Sequence, residues 1–214
     1  MILFEREELL PRPEELPLFG INDSVFLQTP DCPGLMTKRE VRVQLLSELN
    51  LPKQGIIWDI GSGVGSIGLE ALRISPNLKL VSVDKKIGSK NIIEENSRRL
   101  GVRPSLIIED EALNVFKKHK IDDELLNPSR VIIGGGGSNS HLIIEEVLKY
   151  INSFCIIVIP LISLKSISKL ESILKPKVDN LSISQHQSYR GVSIAEDIRL
   201  SPLNPVFILK CEIQ

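Results

Sequence analysis

Cysteine is scarce in this 214-residue chain: Cys32, Cys155 and Cys211 are its only three, far apart, with no Cys-x-x-Cys. That excludes a disulfide framework and a cysteine-rich zinc site, and it fits a reducing compartment. The three histidines, His119, His141 and His186, are scattered without metal-ligand spacing, so no metal is expected. Net charge is also lacking, since 26 Lys and Arg against 27 Asp and Glu leave −1. A chain without a global positive field is not a general nucleic-acid binder. No apolar run reaches the ~20 residues of a bilayer span; the longest, 154–164, is about half that and is broken by Pro160. The start turns acidic at Glu5, unlike a secretory signal. These absences predict a soluble, cytoplasmic protein with no membrane or nucleic-acid partner.

What is present is ordinary globular composition, 42% hydrophobic and 25% charged. The length suits one domain with an appendage. Residues 1–34 are punctuated by Pro11, Pro13, Pro17, Pro30 and Pro33, which deny helix and central strand and predict an extended arm. The arm's apolar residues, Leu16, Leu18, Phe19, Ile21, Val25 and Phe26, must pack somewhere. Its own domain and an interface or substrate-covering role are both open. Residues 35–214 then alternate. Helical spacing is expected over 38–49, 66–74, 87–100, 111–118, 138–150 and 161–174. Strands are expected over 55–60, 78–84, 105–108, 130–133 and 154–159, then 180–186 and 205–212. Gly101 is placed as the left-handed cap of the third helix. This pattern predicts a doubly wound, Rossmann-like α/β fold: seven strands, mostly parallel, with a C-terminal antiparallel hairpin.

The sharpest motif is Asp59-Ile60-Gly61-Ser62-Gly63-Val64-Gly65-Ser66, a strand running into a glycine-rich turn that opens a helix. Glycines there allow positive φ and close approach of a ligand. Dinucleotide enzymes use Gly-x-Gly-x-x-Gly, which Gly63, Gly65 and Gly68 satisfy. Register favours the other chemistry. The strand ends at Gly61, and counting from it the third glycine is Gly65, with Ser66 where the dinucleotide pattern needs glycine. Asp59 is also awkward beside a pyrophosphate and suits a cationic methionine end. The reading is an S-adenosylmethionine site with Asp59, Gly61, Ser62, Gly63, Gly65 and Ser66 in its cradle.

Asp84, at the end of the second strand, sits where a ribose hydroxyl pair is usually gripped. Asp110, after the third, either accepts from the adenine amino group or caps the next helix. The fourth strand ends in Gly134-Gly135-Gly136-Gly137, beyond which ligands of open α/β sheets bind. Gly134 and Gly135 are assigned to the donor and Gly136 to the acceptor. No Asn-Pro-Pro-Tyr or Asp-Pro-Pro-Tyr follows, unlike many amino-methylating enzymes. Thr37 is expected as the N-cap of the first helix, with Glu40 completing a capping box, and as a donor contact.

Four blocks carry a more specific resemblance. Gly20-Ile21-Asn22-Asp23-Ser24-Val25-Phe26 resembles Gly-Ile-Pro-Asp-x-x-Phe. Thr37-Lys38-Arg39-Glu40-Val41-Arg42 resembles a Thr-Lys-x-Glu-Val-Arg helix start. Ile133-Gly134-Gly135-Gly136-Gly137 resembles Ile-Gly-Gly-Ser-Gly-Gly. Asn204-Pro205-Val206-Phe207-Ile208 resembles a closing Asn-Pro-Val-Phe-Ile strand. Together they resemble the decarboxylating cobalt-precorrin-6B (C15)-methyltransferases of cobalamin biosynthesis, from about residue 20 to the end. Asn22 in place of Pro, and Ser129 where the family often has Asp, are departures. The resemblance implies a class I methyltransferase fold with S-adenosyl-L-methionine as cofactor. It also implies C-methylation of a reduced tetrapyrrole, loss of carbon dioxide from an acetate arm, and homo-oligomers. Residues 1–19 resemble the linker of a fused two-domain enzyme, so a separate precorrin methyltransferase partner is expected. A polycarboxylate substrate needs cations, and Lys38, Arg42, Arg190 and Arg199 are the candidates. No general base is named. The alternative is a class I methyltransferase for another small molecule or RNA.

Overall fold

The computed structural model describes residues 11–28, 36–134, 137–195 and 197–214. Its strands are β1 (Gln54–Ile60), β2 (Asn77–Asp84), β3 (Leu106–Glu109), β4 (Arg130–Ile133), β5 (Cys155–Leu161), β6 (Asn180–His186), β7 (Tyr189–Ile194), β8 (Asp197–Pro202) and β9 (Val206–Ile213). Its helices are α1 (Arg39–Leu49), α2 (Ser66–Ile74), α3 (Ser89–Leu100), α4 (Ala112–Lys117), α5 (Ser140–Leu148) and α6 (Leu164–Leu174). Seven strands form one sheet in the order β3-β2-β1-β4-β5-β9-β6. β1 to β5 run parallel, and β9 is antiparallel to both β5 and β6. The expected mostly parallel, seven-stranded fold is the one observed.

The strands are apolar on both faces because both are covered. Side chains alternate along each strand. Ile57 and Ile132 therefore join Leu45, Leu69 and Ile93 under α1, α2 and α3. Trp58, Val131 and Ile133 join Val115, Ile144 and Leu170 under α4, α5 and α6. Trp58 packs against Phe116 and Tyr150 and donates its Nε1–H to the Leu125 carbonyl at 2.9 Å.

Several boundaries differ from the sequence expectation. α3 starts at Ser89, because Gly88 takes φ 85° at its N-cap; Gly101 closes it at φ 65°, as anticipated. α6 starts at Leu164, because β5 runs on through Pro160 to Leu161. The β4 register ends at Ile132↔Val158, so the N–H that Pro160 lacks falls beyond β4's reach. The late antiparallel pair exists as β6–β9, but an unanticipated two-stranded ribbon, β7–β8, is inserted between its members. Val192 and Ile194 lie on one face of that ribbon and Tyr189, Ile198 and Leu200 on the other. Apolar residues on both faces hide the amphipathic alternation that marks a strand.

The described part of the arm lies on its own domain: Leu16, Ile21, Val25 and Phe26 are buried in the core under α1 and α2. An irregular segment has no ladder to satisfy its carbonyls, so side chains must. Arg73 donates to Leu16 and Pro17 at 3.1 and 3.2 Å, Arg99 to Val25 at 3.1 Å, and Arg42 to Ile21. Asn96 brackets Leu27, accepting its N–H at 2.7 Å and donating to its carbonyl at 3.1 Å. Residues 1–10 and 29–35, with the rest of the arm, lie outside the described residues. Among the described residues no helix is long and apolar enough to cross a membrane.

Candidate active site

The chain's crossovers reverse direction between β1 and β4, which makes their carboxyl ends the switch point where open α/β sheets bind ligands. A cavity of about 360 Å³ opens there, within the ~300–1,000 Å³ usual for small-molecule sites. Of the residues singled out in the sequence, Thr37, Asp59, Gly61, Ser62, Gly63, Ser66, Asp84, Asp110 and Gly134 line it. Glycine is required at position 61: φ is 75°, and a Cβ there would stand 1.8 Å from the Gly134 carbonyl oxygen. Gly63, at φ 59°, faces open space with no heavy atom within 4 Å of a built Cβ.

The loop's own hydrogen bonds decide between the two glycine chemistries. A pyrophosphate cradle keeps its N–H groups aimed at the ligand. Here Gly61 and Ser62 both donate to the Val83 carbonyl, at 2.7 and 3.1 Å, and Gly65 donates to Ser62 at 2.8 Å. Gly63 donates to Asp84 Oδ2 at 2.7 Å, while Asp84 Oδ1 accepts from Lys86 N–H at 2.8 Å. The loop is spent on the protein, and a carboxylate occupies the position an anion would need. Asp84 keeps spare lone pairs, since a carboxylate accepts about four hydrogen bonds. Asp59 is 1% exposed and accepts from Gly68 N–H at 3.1 Å. Burial pushes its carboxyl up to about 7, and the charge of Asp84 adds to the rise. A cation beside it would restore the ionised form. The residues present fit a sulfonium donor with a ribose, and they do not fit a dinucleotide.

The structure corrects some of the other expectations and locates the remaining residues. Thr37 is not the N-cap of α1 and builds no capping box: Lys38 is the N-cap, without a side-chain bond, and Asp23 Oδ1 accepts from Arg39 N–H at 3.0 Å. Glu40 instead binds Arg190 at 2.7 Å, which pulls its carboxyl down to about 2. Arg42 cannot meet a substrate, since it is fully buried between Glu70 at 2.8 Å and Asp23 at 2.7 Å. Arg190 is held by Glu40 and Asp23 outside the cavity lining. Arg199 is exposed on β8, also away from the lining. Gly65 caps α2 at φ 79° and packs on Ile93 and Leu69, so it shapes the turn without lining the cavity. Asp110 lines it as well, and its carboxylate accepts from Lys120 at 2.7 Å, from the Glu111 N–H at 2.7 Å and from the Asn114 amide at 3.3 Å. None of these bonds caps α4, whose N-cap Glu111 makes no side-chain capping bond, and the Lys120 bond holds this carboxyl down at about 2. Lys38 flanks Thr37 and makes no ion pair among the described residues. Gly135 and Gly136 lie outside the described residues.

The sequence reading missed Met36, Ile143 and Pro160 in the wall, and Lys85 and Lys86 at the ribose end. It also missed Asp23, the hub between arm, α1 and ribbon. Only the two lysines carried a local signal, directly after Asp84. Among the described residues no group of carboxylates, histidines and cysteines could hold a metal.

Known proteins are similar to this chain in sequence and fold. The family model for a precorrin methyltransferase domain matches residues 31–210. A probable cobalt-precorrin-6B C(15)-methyltransferase (decarboxylating) from Pyrobaculum aerophilum is 32% identical over 192 residues, 89% of this chain and 94% of its own length. A decarboxylating precorrin-6Y C(5,15)-methyltransferase from Sinorhizobium is 35% identical over 124 residues, 58% of this chain and 28% of its own length. The crystal structure of a precorrin-6y C5,15-methyltransferase from Geobacter metallireducens superposes with a TM-score of 0.81 at 26% identity, covering 94% of this chain and 100% of that one. Sheet order and carboxyl-edge cavity define a class I methyltransferase fold. Within that class, the chain belongs to the precorrin methyltransferase family.

Proposed function

We infer that this chain is a decarboxylating cobalt-precorrin-6B C15-methyltransferase of cobalamin biosynthesis, with S-adenosylmethionine as its donor. The observation that carries the reading is the family match over residues 31–210, laid over a carboxyl-edge cavity whose glycine loop has a carboxylate where a dinucleotide would need anion-binding amides. Asp84 takes the ribose hydroxyls. Asp59, once ionised, faces the cationic methionine end, and Thr37 with Gly134 closes the methyl-transfer end. When bound, the donor would supply C15 with an electrophilic methyl group, its sulfur retaining the bonding pair. Holding the two centres about 3–3.5 Å apart supplies much of the acceleration without a side-chain base. In decarboxylation the pair from the broken carbon–carbon bond passes into the conjugated macrocycle, which takes a proton from solvent at the former acetate carbon, while C15 releases the hydrogen that the methyl replaces as a proton to solvent. The test is mass spectrometry of the tetrapyrrole after turnover. The reading predicts a gain of one methyl group and loss of one carbon dioxide, both dependent on S-adenosylmethionine.

A homo-oligomer built through the ribbon is part of the same proposal. Tyr189↔Pro202, Gly191↔Leu200 and Ser193↔Ile198 share one uncharged face, on which Tyr189, Leu200 and Ile198 are 56%, 71% and 69% exposed. A lone two-stranded ribbon is marginal in water, and pairing with a second copy covers it. Methylation at the other bridging carbon, named for the longer Sinorhizobium relative, falls in this reading to a separate partner enzyme. Sedimentation analysis of Leu200→Lys checks the ribbon. A shift to monomer is expected, and an unchanged mass contradicts it.

A further inference from the structure

The cavity is asymmetric. Its ribose end is closed by charged groups, Asp84, Lys85, Lys86 and Asp110, whereas its other end is walled by Ile143 and Pro160. Close to those two residues in the chain stand large apolar side chains that are open to solvent. Ile162 is 77% exposed and Leu164 is 70% exposed, just past the carboxyl end of β5, and Leu142, beside Ile143, is 40% exposed. Large aliphatics this bare beside a binding cavity mark a ligand surface rather than scattered exposure. The shelf is fixed in place: Ser163, between Ile162 and Leu164, is the N-cap of α6 and accepts from Ser166 N–H through its Oγ. Lys165 follows on the exposed first turn, and among the described residues it makes no ion pair. Lys38, equally without an ion pair among them, stands beside Thr37 at the cavity wall.

We propose that Ile162 and Leu164 form the shelf on which the flat face of the tetrapyrrole rests, with Lys165 and Lys38 meeting its peripheral carboxylates. The proposal rests on the tetrapyrrole reading above and adds the residues that hold the acceptor. A ligand with a broad apolar face and an anionic rim matches an apolar shelf bordered by lysines. Ile162 and Leu164 follow Pro160 just past the carboxyl end of β5, so in this proposal a macrocycle seated on them puts its edge at the methyl-transfer end.

The test uses uroporphyrin III, a stable polycarboxylate tetrapyrrole, as the binding probe, and S-adenosylhomocysteine calorimetry as the control. The variants are Ile162→Ser/Leu164→Ser, the milder Ile162→Thr, and Lys165→Glu. Removing two aliphatic contacts should weaken porphyrin binding by about tenfold or more, Ile162→Thr by about threefold. Lys165→Glu should weaken it severalfold and flatten its salt dependence. Affinity for S-adenosylhomocysteine should stay within about twofold in all three. Unchanged porphyrin affinity in the double variant overturns the shelf while leaving the enzyme reading intact. Loss of both ligands together also overturns it, because the residues would then be supporting the donor cavity. Failure of the unaltered chain to bind porphyrin, with S-adenosylhomocysteine still bound, overturns the tetrapyrrole reading itself. A change in oligomer mass with porphyrin affinity retained assigns the shelf to a protein contact instead.

Discussion

The two walls of the active site are built by opposite means. The donor wall is regular. Parallel strands β1, β2 and β4 end level with one another, and the loop after β1 is tied back to β2 by backbone hydrogen bonds and by Asp84. The facing wall, Gln28, Met36 and Thr37, lies outside the regular elements and is flanked by residues held through side chains. Arg42, Glu70 and Asp23 anchor it, and Arg190 reaches across from the ribbon to the same Asp23. Substitutions in the donor wall should therefore remove ligand affinity at little cost to the fold. Substitutions in the strap should cost stability first.

The largest effect is expected at Arg42. Removing one partner of a buried pair strands the other, at a cost of about 3–5 kcal/mol. Arg42→Ala should lower stability to denaturant by that order, while donor affinity measured on the protein that remains folded stays close to normal. A loss of donor affinity without a loss of stability would move Arg42 to the donor side. Next comes Asp84→Ala. The account expects affinity for S-adenosylhomocysteine to fall about a hundredfold, from lost charge-assisted hydrogen bonds, with a smaller effect on unfolding. Unchanged calorimetric affinity would remove Asp84 from the ribose site.

How legible each wall is in the sequence follows from the same contrast. The donor wall was readable because its determinants are local: Asp59, Gly61, Gly63 and Gly65 within one strand and turn, and Asp84 at the next strand end. The strap was not, because its contacts join residues far apart in the chain. Glu70 accepts from Gly20 N–H across 50 positions, and Arg190 reaches Asp23 across 167. Nothing near Arg42 in the chain distinguishes a buried arginine from a surface one, so the sequence alone points it toward an anionic substrate. Thr37-x-x-Glu40 reads as a capping box, but Asp23 supplies the cap and releases Glu40 to the ribbon. Asp110 had two readings, and Lys120, ten positions on, engages its carboxylate as soon as α4 turns.

Asp59 gives a subtler test of the donor wall. Burial raises its carboxyl from 3.8 to about 7. The folded state holds this proton more tightly than the unfolded state. The stability it contributes is therefore complete below about 4 and is lost as pH rises through about 7. Asp59→Asn should remove that decline, making the variant gain on the unaltered chain between about pH 4 and 7. Binding of the sulfonium donor should strengthen over the same range as Asp59 ionises. Parallel pH profiles for both proteins would show that Asp59 does not titrate there. The smallest effect is expected at Arg190, whose pair with Glu40 is partly exposed. Such pairs contribute about 0–1 kcal/mol, so Arg190→Ala should shift thermal unfolding by a few degrees at most. A larger loss would mean that the ribbon supports the strap more than its contacts imply.

The most direct test of the central claim is calorimetric titration of the purified chain with S-adenosylhomocysteine, with NAD as the control. The account predicts one-to-one, micromolar binding of S-adenosylhomocysteine and no heat from NAD. Binding of NAD in its place would mean that the loop is a dinucleotide cradle after all, and it would contradict both the donor site and the methyl transfer built upon it.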